Sequence, residues 1–367
     1  MADERSPLET EIRRLIGIAG PMPVAEYMRI ALTHPHHGYY LTRDPIGAGG
    51  DFVTAPEISQ MFGELIGVWM ASVWLQMGAP ENVRIIELGP GRGTLMADAL
   101  RAAKVVKDFH AALVLNLVEI SPSLQQMQRQ RLQALDLTMS WHTTLADVPS
   151  GPSIIIANEF IDALPIHQVV KRSDGWHERV VEVAPSGKLT FGLSREPLRH
   201  LEATLPPAVR QAPQGAIFEW RSDAIALEIG KRVRSDGAAL IFDYGHAKSA
   251  VGDTLQAVAG HSFADPLAAP GQADLTAHVD FEALAQRAES MGAKCHGPLP
   301  QRDLLQNLGI HERAAMLKAR DAGEAAEIDL ALSRLLGGGA QGMGEIFKAF
   351  AIADPKLDLL PGFTTSQ

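Results

Sequence analysis

The segment Val83-Arg84-Ile85-Ile86-Glu87-Leu88-Gly89-Pro90-Gly91-Arg92-Gly93-Thr94 narrows the choice of fold more than any other part of the chain. A short apolar run ends in a carboxylate, passes through glycines two residues apart and opens onto a helical pattern from Leu95 to Lys107. A buried parallel strand that turns into a crossover helix has this character, because glycine lets the backbone turn tightly and lets a ligand approach with no Cβ in the way. Leu113 to Ile120, Ser153 to Ala157 and Ala238 to Phe242 are further apolar runs, each too short for an ordinary helix and each closed by polar or turn residues. A helix from Pro122 to Leu135 follows the first of them, with Ser121 at the N-cap and Pro122 at the first helical position. Met343 to Ala353 reads as a final strand. The expected fold is α/β: a Rossmann-like, doubly wound, mostly parallel seven-stranded sheet with an N-terminal helical region and inserted α+β segments.

The rest of the chain is arranged around that sheet. From Ser6 to about Leu32 the pattern is helical, and His34, His36 and His37 in the loop beyond read as surface polarity, since no carboxylate or histidine at i,i+4 completes a metal site. Gly47 to Val53 is a glycine-rich loop, and Thr54-Ala55-Pro56-Glu57 has the spacing of a capping box. A helix is expected to begin there and run to Met77, with Glu57 capping it and Glu64 solvated. Val180 to Val183 and Leu189 to Phe191 suggest a β-hairpin, and Ile217 to Arg234 a returning helix. The expected division is residues 1–80 as a helical region with a glycine-rich lid; 81–170, 236–251 and 343–354 as a cofactor-binding core; 171–235 as an inserted hairpin and helix; and 252–342 as an inserted helical substrate region.

Composition excludes several alternatives. Hydrophobic residues at 46% supply a substantial core, and a formal net charge of -10 argues against nucleic-acid binding through a basic surface. The strongly apolar stretch from Leu65 to Leu75 is shorter than a membrane span. A single cysteine, Cys295, forms no internal disulfide, and the acidic, non-hydrophobic start resembles neither a secretory signal nor a transit peptide, so the cytoplasm is the expected compartment.

A dinucleotide fingerprint would place its third glycine where Thr94 stands. The spacing E-x-G-x-G-x-G suits S-adenosyl-L-methionine instead, which has no phosphate and whose amino-acid group needs a carboxylate and backbone donors. Glu87 supplies the first, and Glu119 at the next strand end can accept from both ribose hydroxyls. The expected cofactor set is Thr54, Glu87, Gly89, Gly91, Gly93, Glu119 and Asn158, with no metal. Polar residues at the carboxyl edge of a parallel sheet face the ligand crevice, which makes Glu159, Asp162 and Asp243 the candidate catalytic groups, with Asp51 as a further partner. Tyr244 beside Asp243 could wall a cationic group.

Taken together, Gly50-Asp51-Phe52-Val53-Thr54-Ala55-Pro56-Glu57-Ile58-Ser59, Glu87 to Thr94, Val118-Glu119-Ile120-Ser121-Pro122, Asn158 to Pro165, Asp243-Tyr244-Gly245 and Asp274 to Phe281 resemble the MidA family of class I S-adenosylmethionine-dependent methyltransferases, as does the run from Gln301 to Ile310. The resemblance covers nearly the whole chain. It implies methylation of a protein arginine side chain, in mitochondrial members a symmetric dimethylation of a respiratory complex I subunit that assists assembly. The partner would then be a protein substrate, with the guanidinium held by a carboxylate fork for which Glu159 is the first choice. Three other readings stand beside it: a small-molecule methyltransferase, an NAD-dependent oxidoreductase, and an assembly chaperone that keeps the fold without turnover.

Overall fold

A computed structural model describes residues 6–42, 54–339 and 342–363, and the chain divides into two compact units. The unit made of Val53–Ile161, Asp223–Gly245 and Ala283–Gln367 carries the main sheet. Its strands are β1 (Val83–Leu88), β2 (Leu113–Val118), β3 (Met139–His142), β4 (Ser153–Asn158), β5 (Gly237–His246), β6 (Lys294–Pro300) and β7 (Phe347–Ala353). They follow one another in the order β3-β2-β1-β4-β5-β7-β6. Neighbours from β3 to β5 are parallel, whereas β7 runs antiparallel to both β5 and β6, so the sheet is mixed. Ile154, Ile155, Ile156 and Ala157 of β4 are all fully buried, the continuous apolar character of a strand covered on both faces.

The first four expected strands are where the apolar runs placed them, and β3 and β6 are the two that no apolar run marked; of these, β6 is concealed by its own sequence. Gly297 and Pro298 interrupt its pattern, and the pairing with β7 shifts register between His296 and Leu299. An edge position tolerates such residues because one side of the strand needs no ladder hydrogen bonds. The region expected as a separate insertion at 252–342 therefore contributes β6 and several helices to the sheet-bearing unit.

Helix α1 (Gln60–Gln76) lies against α2 (Thr94–Ala103), and their approach is set by two glycines. A Cβ on Gly63 would stand 2.7 Å from Asp98 Cβ, and one on Gly67 would stand 2.1 Å from the Ala99 carbonyl oxygen. The helix expected from Ala55 is broken at Ser59, whose backbone is extended at φ -161° and ψ 139°. The Ser59 hydroxyl then caps α1 by accepting from Met61 N at 3.2 Å. The expected capping box does not form: Thr54 makes no side-chain cap, and the Glu57 carboxylate instead accepts from the Thr94 hydroxyl. Glu64 is not solvated either. It is buried on α1, where its carboxylate accepts from Arg313 Nε at 2.7 Å and Nη2 at 2.9 Å and from Arg101 Nη1 at 3.0 Å. Arg313 belongs to Ile310–Arg320, so one acid ties that helix to α1 and α2, a pairing that spacing within α1 could not disclose.

The other unit comprises Met1–Phe52, Asp162–Ser222 and His246–Glu282. Its N-terminal helical stretch is two helices, Pro7–Ala19 and Val24–Thr33, parted by Gly20 at φ +89° and by Met22–Pro23, which pairs with Gly175–Val183. Gly175–Val183 and Leu189–Leu193 form the expected hairpin. The expected returning helix is only half helical: Ile217–Arg221 is a strand antiparallel to Ile166–Arg172, and the helix begins at Ala224. Sheet pairing overrides helical propensity for that short aromatic and β-branched run. Leu8, Ile12, Tyr27, Met28, Ile166 and Val181 meet in this unit's core. No helix among the described residues is long and apolar enough to cross a membrane.

The α1–α2 contact yields a stability test. Gly67→Ala forces a methyl group into the Ala99 carbonyl and is expected to cost about 1–3 kcal/mol, seen as a lower urea midpoint for the transition of this unit. An unchanged midpoint would show that the helices can separate freely.

Candidate functional site

The carboxyl ends of β2, β1 and β4 lie side by side, with Leu88 opposite Val118 on one flank and Ala157 on the other. This is the point at which the strand order reverses, where open parallel sheets leave a crevice for a ligand. Beyond Leu88 the backbone enters the left-handed region at Gly89, Gly91 and Gly93, with φ of +61°, +54° and +77°. Any side chain is strained there, and a Cβ on Gly89 would also stand 2.8 Å from the Phe160 ring. Gly93 serves as the N-cap of α2.

Two acids stand at adjacent strand ends. Glu87 is 3% exposed, and its Oε2 has no hydrogen-bond partner among the described residues. Burial, reinforced by the charge of Glu119, pushes its carboxyl up to about 8. Glu119 follows β2 and is also buried; its Oε1 accepts from Ser121 N at 2.8 Å and its Oε2 from Gln128 Nε2 at 3.3 Å. Burial raises it to about 6 against the opposing effect of those hydrogen bonds. Ile120, next in sequence, leaves an aliphatic side chain 40% exposed beside this acid.

At the end of β4, Asn158 Nδ2 donates to Glu159 Oε1 at 3.1 Å, and Ala55 N approaches the same oxygen at 3.4 Å. Glu159 has a left-handed backbone, φ +50°, which is uncommon for a residue with a Cβ and is characteristic of sites where a side chain must be aimed. Asp243 lies within β5. It is fully buried, with Oδ2 accepting from Ile161 N at 2.9 Å and Oδ1 from Tyr244 N at 3.0 Å, so it braces the loop after β4. Tyr244 packs its ring edge-on to Phe347, centroids 5.5 Å apart. Asp162 belongs to the other unit, where its carbonyl accepts from Ala277 N at 3.1 Å and Arg221 Nη2 at 3.0 Å. Thr54 is half-buried before Ala55, and Asp51 with the glycine-rich loop lies outside the described residues.

The structure thus gathers Glu87, Gly89, Gly91, Gly93, Glu119, Asn158 and Glu159 along one sheet edge. It also adds groups that sequence reasoning missed: Phe160 against Gly89, Arg131 donating to the Thr94 hydroxyl, and Gln128 and Trp141 behind Glu119. Gln128 had a signal of its own, a polar residue at the midpoint of the buried i,i+4 row Leu124, Gln128, Leu132.

A mixed sheet with this acid and glycine turn at its switch point defines a class I S-adenosylmethionine-dependent methyltransferase. The chain matches at TM-score 0.87 and 28% identity, over 98% of its length and 95% of the other, a COG1565 superfamily member from Burkholderia thailandensis whose crystal structure holds S-adenosyl-homocysteine. Residues 65–299 match the Methyltransf_28 family of S-adenosyl-L-methionine-dependent methyltransferases. The proteins named protein arginine methyltransferase NDUFAF7, mitochondrial, are 39% identical in Danio rerio over 358 residues (91% of this chain, 83% of that protein) and 39% identical in Mus musculus over 388 residues (96% and 85%). The chain belongs to the MidA, or NDUFAF7, family of S-adenosylmethionine-dependent methyltransferases.

The residues present fit that cofactor: a buried acid oxygen awaiting a partner, three left-handed glycines and a second acid one strand away. Gly91→Val places a β-branched residue at φ +54° and is expected to abolish measurable S-adenosyl-homocysteine binding in isothermal titration calorimetry while the protein stays folded by circular dichroism. Retained affinity would separate the glycine turn from the cofactor.

Proposed function

We propose that the protein transfers a methyl group from S-adenosyl-L-methionine to an arginine side chain of a protein substrate, as the names of its relatives in Danio rerio and Mus musculus state for those proteins. The observation that carries the reading is Glu159: a carboxylate on a left-handed residue at the end of β4, its Oε1 held by Asn158 and the Ala55 amide. A guanidinium stays protonated in water, so its acceptor nitrogen must be bound and aimed by a carboxylate, and Glu159 does this. When bound, the cofactor supplies an electrophilic methyl on a sulfonium sulfur. Glu159 would fix one guanidinium nitrogen in line with that methyl; as the N–C bond forms, the C–S bond would break to leave a neutral thioether, and the nitrogen's proton would pass to the Glu159 carboxylate and on to solvent, with alignment alone contributing several kcal/mol. Asp243 positions the loop that bears Glu159 by holding Ile161 and Tyr244. Thr54, Asn158 and the glycine turn complete the cofactor side, Glu119 takes the ribose hydroxyls and Glu87 the methionine ammonium. The mitochondrial members' complex I role, carried over by family resemblance, makes a complex I subunit the first acceptor to examine.

Glu159→Gln is expected to leave S-adenosyl-homocysteine affinity within about twofold and to lower methyl transfer by on the order of a hundredfold, as loss of one aimed charge does. Incubation of a deletion-strain lysate with label on the donor methyl, followed by acid hydrolysis, reads the acceptor directly. Methylarginine in one polypeptide supports the proposal; label only in small molecules refutes it.

A second expectation follows from the acid at the methionine end. With its carboxyl raised to about 8, Glu87 is mostly protonated at pH 7 in the free protein, and an ammonium placed beside it favours the ionised form. Cofactor binding should therefore release up to about one proton, read from the dependence of calorimetric heat on buffer ionisation enthalpy. Heat that does not vary with buffer would mean that Glu87 keeps its proton and does not meet the ammonium.

A further inference from the structure

Behind the cofactor edge, Gln128 is fully buried on α3 (Pro122–Leu132) and every hydrogen bond of its amide goes to a part of the site or its support. Its Nε2 donates to the Gly91 carbonyl at 2.7 Å and to Glu119 Oε2 at 3.3 Å, and its Oε1 accepts from Trp141 Nε1 at 2.8 Å. The indole is pinned in turn by the Arg129 guanidinium, 4.3 Å above the ring. Gln128 Cγ lies 3.4 Å from where a Cβ on Gly93 would stand, so α3 touches the glycine turn at two of its three glycines. A buried amide is costly unless its donors and acceptor are all matched, and here the matches join two structures that would otherwise be independent: the turn after β1 and the acid after β2.

We infer that Gln128 is a positioning residue for the cofactor, fixing the Glu119 carboxylate relative to the Gly91 turn so that the ribose and methionine ends are received at one set spacing. The inference goes beyond the choice of acceptor and rests only on Glu119 meeting the ribose. The geometry around Glu119 is closed from both sides: Ser121 N–H holds one oxygen and the Gln128 amide the other, so the acid's orientation is set before any ligand arrives. Groups that orient a ligand-binding side chain in this way commonly carry a tenfold to hundredfold share of affinity at comparable, metal-binding sites. Methionine in place of Gln128 keeps the length and apolar stem but deletes both donors and the acceptor.

The test compares S-adenosyl-homocysteine with its 2′-deoxy analogue by calorimetry, in the full-length protein and in Gln128→Met. The unaltered protein is expected to prefer the hydroxylated ligand by at least about tenfold, since a site built to accept from a hydroxyl rejects the analogue lacking it. In Gln128→Met that preference should shrink at least about fivefold, because a carboxylate free to turn no longer distinguishes the two. A merely structural role would weaken both ligands equally, and a preserved ratio overturns the inference. Equal binding of both ligands by the unaltered protein removes the ribose role of Glu119 itself, and the inference with it. If Gln128→Met does not fold, Trp141→Phe carries the test. It keeps the ring under Arg129 and deletes only the N–H to Gln128, so the preference should fall at least about twofold, and an unchanged preference overturns the proposed chain.

Discussion

Two carboxyl groups kept out of water at neighbouring strand ends are the constraint around which the cofactor edge is built. Both acids are raised by lost hydration, Glu87 to about 8 with the charge of Glu119 adding to it, and Glu119 to about 6 against the hydrogen bonds it accepts. The sign of their effect on stability follows. A carboxyl that holds its proton more tightly in the folded state favours folding below its unfolded value near 4.3 and opposes it as pH rises toward its folded value. Stability at this edge is therefore lost progressively as pH rises from about 4 to about 8 and the loss is complete above that, and a cation placed against Glu87 would offset it. A ligand cation so placed would add a driving force for binding that the glycine turn alone would not supply.

That arrangement depends on the sheet. The two acids come together because β1 and β2 are parallel and in register, Leu88 beside Val118, and because the order reverses at β1, so that β4 delivers Asn158 and Glu159 on the opposite flank. The sheet is in turn held by helices whose own approach is unusually close. Gly63 and Gly67 let α1 settle onto α2, whose first residue, Thr94, continues the glycine turn. The Thr94 hydroxyl lies between Glu57 and Arg131, so the segment entering α1, the turn and α3 share one polar junction. Packing of this kind carries precision from the core to the site: a shift of α1 would be felt at Thr94 before it was felt at any ligand.

Much of this was legible in sequence, for a physical reason. Strands buried on both faces must be apolar throughout and short, which marked β1, β2, β4 and β5, and a turn with three left-handed residues must be glycine, which marked Gly89, Gly91 and Gly93. Features that depend on partners distant in the chain were not legible. Glu64 looks like any polar residue on a helix, and its partners Arg101 on α2 and Arg313 on Ile310–Arg320, far along the chain, explain its burial. Glu57 has the spacing of a cap but takes a tertiary partner, and β6 hides behind Gly297 and Pro298 because an edge strand need not obey the interior pattern. Ile217–Arg221 reads as the start of a helix until Ile166–Arg172 is there to pair with it.

The three candidate carboxylates show the same division. Glu159, Asp162 and Asp243 are equivalent in sequence, each an acid just beyond a strand that reaches the same edge. Hydrogen bonding separates them. Asp243 is fully buried, and its oxygens accept from the backbone amides of Ile161 and Tyr244. Glu159 alone combines partial exposure with a left-handed backbone, held against its own conformational preference by the ladder bond from its amide to the Phe242 carbonyl at 2.8 Å. Strain of that kind persists only where the surroundings impose it, and here they impose it on the acid whose carboxylate Asn158 and Ala55 steady. The brace and the aimed group are thus two halves of one device, with Asp243 fixing the loop so that Glu159 can be held in a conformation it would not adopt unaided.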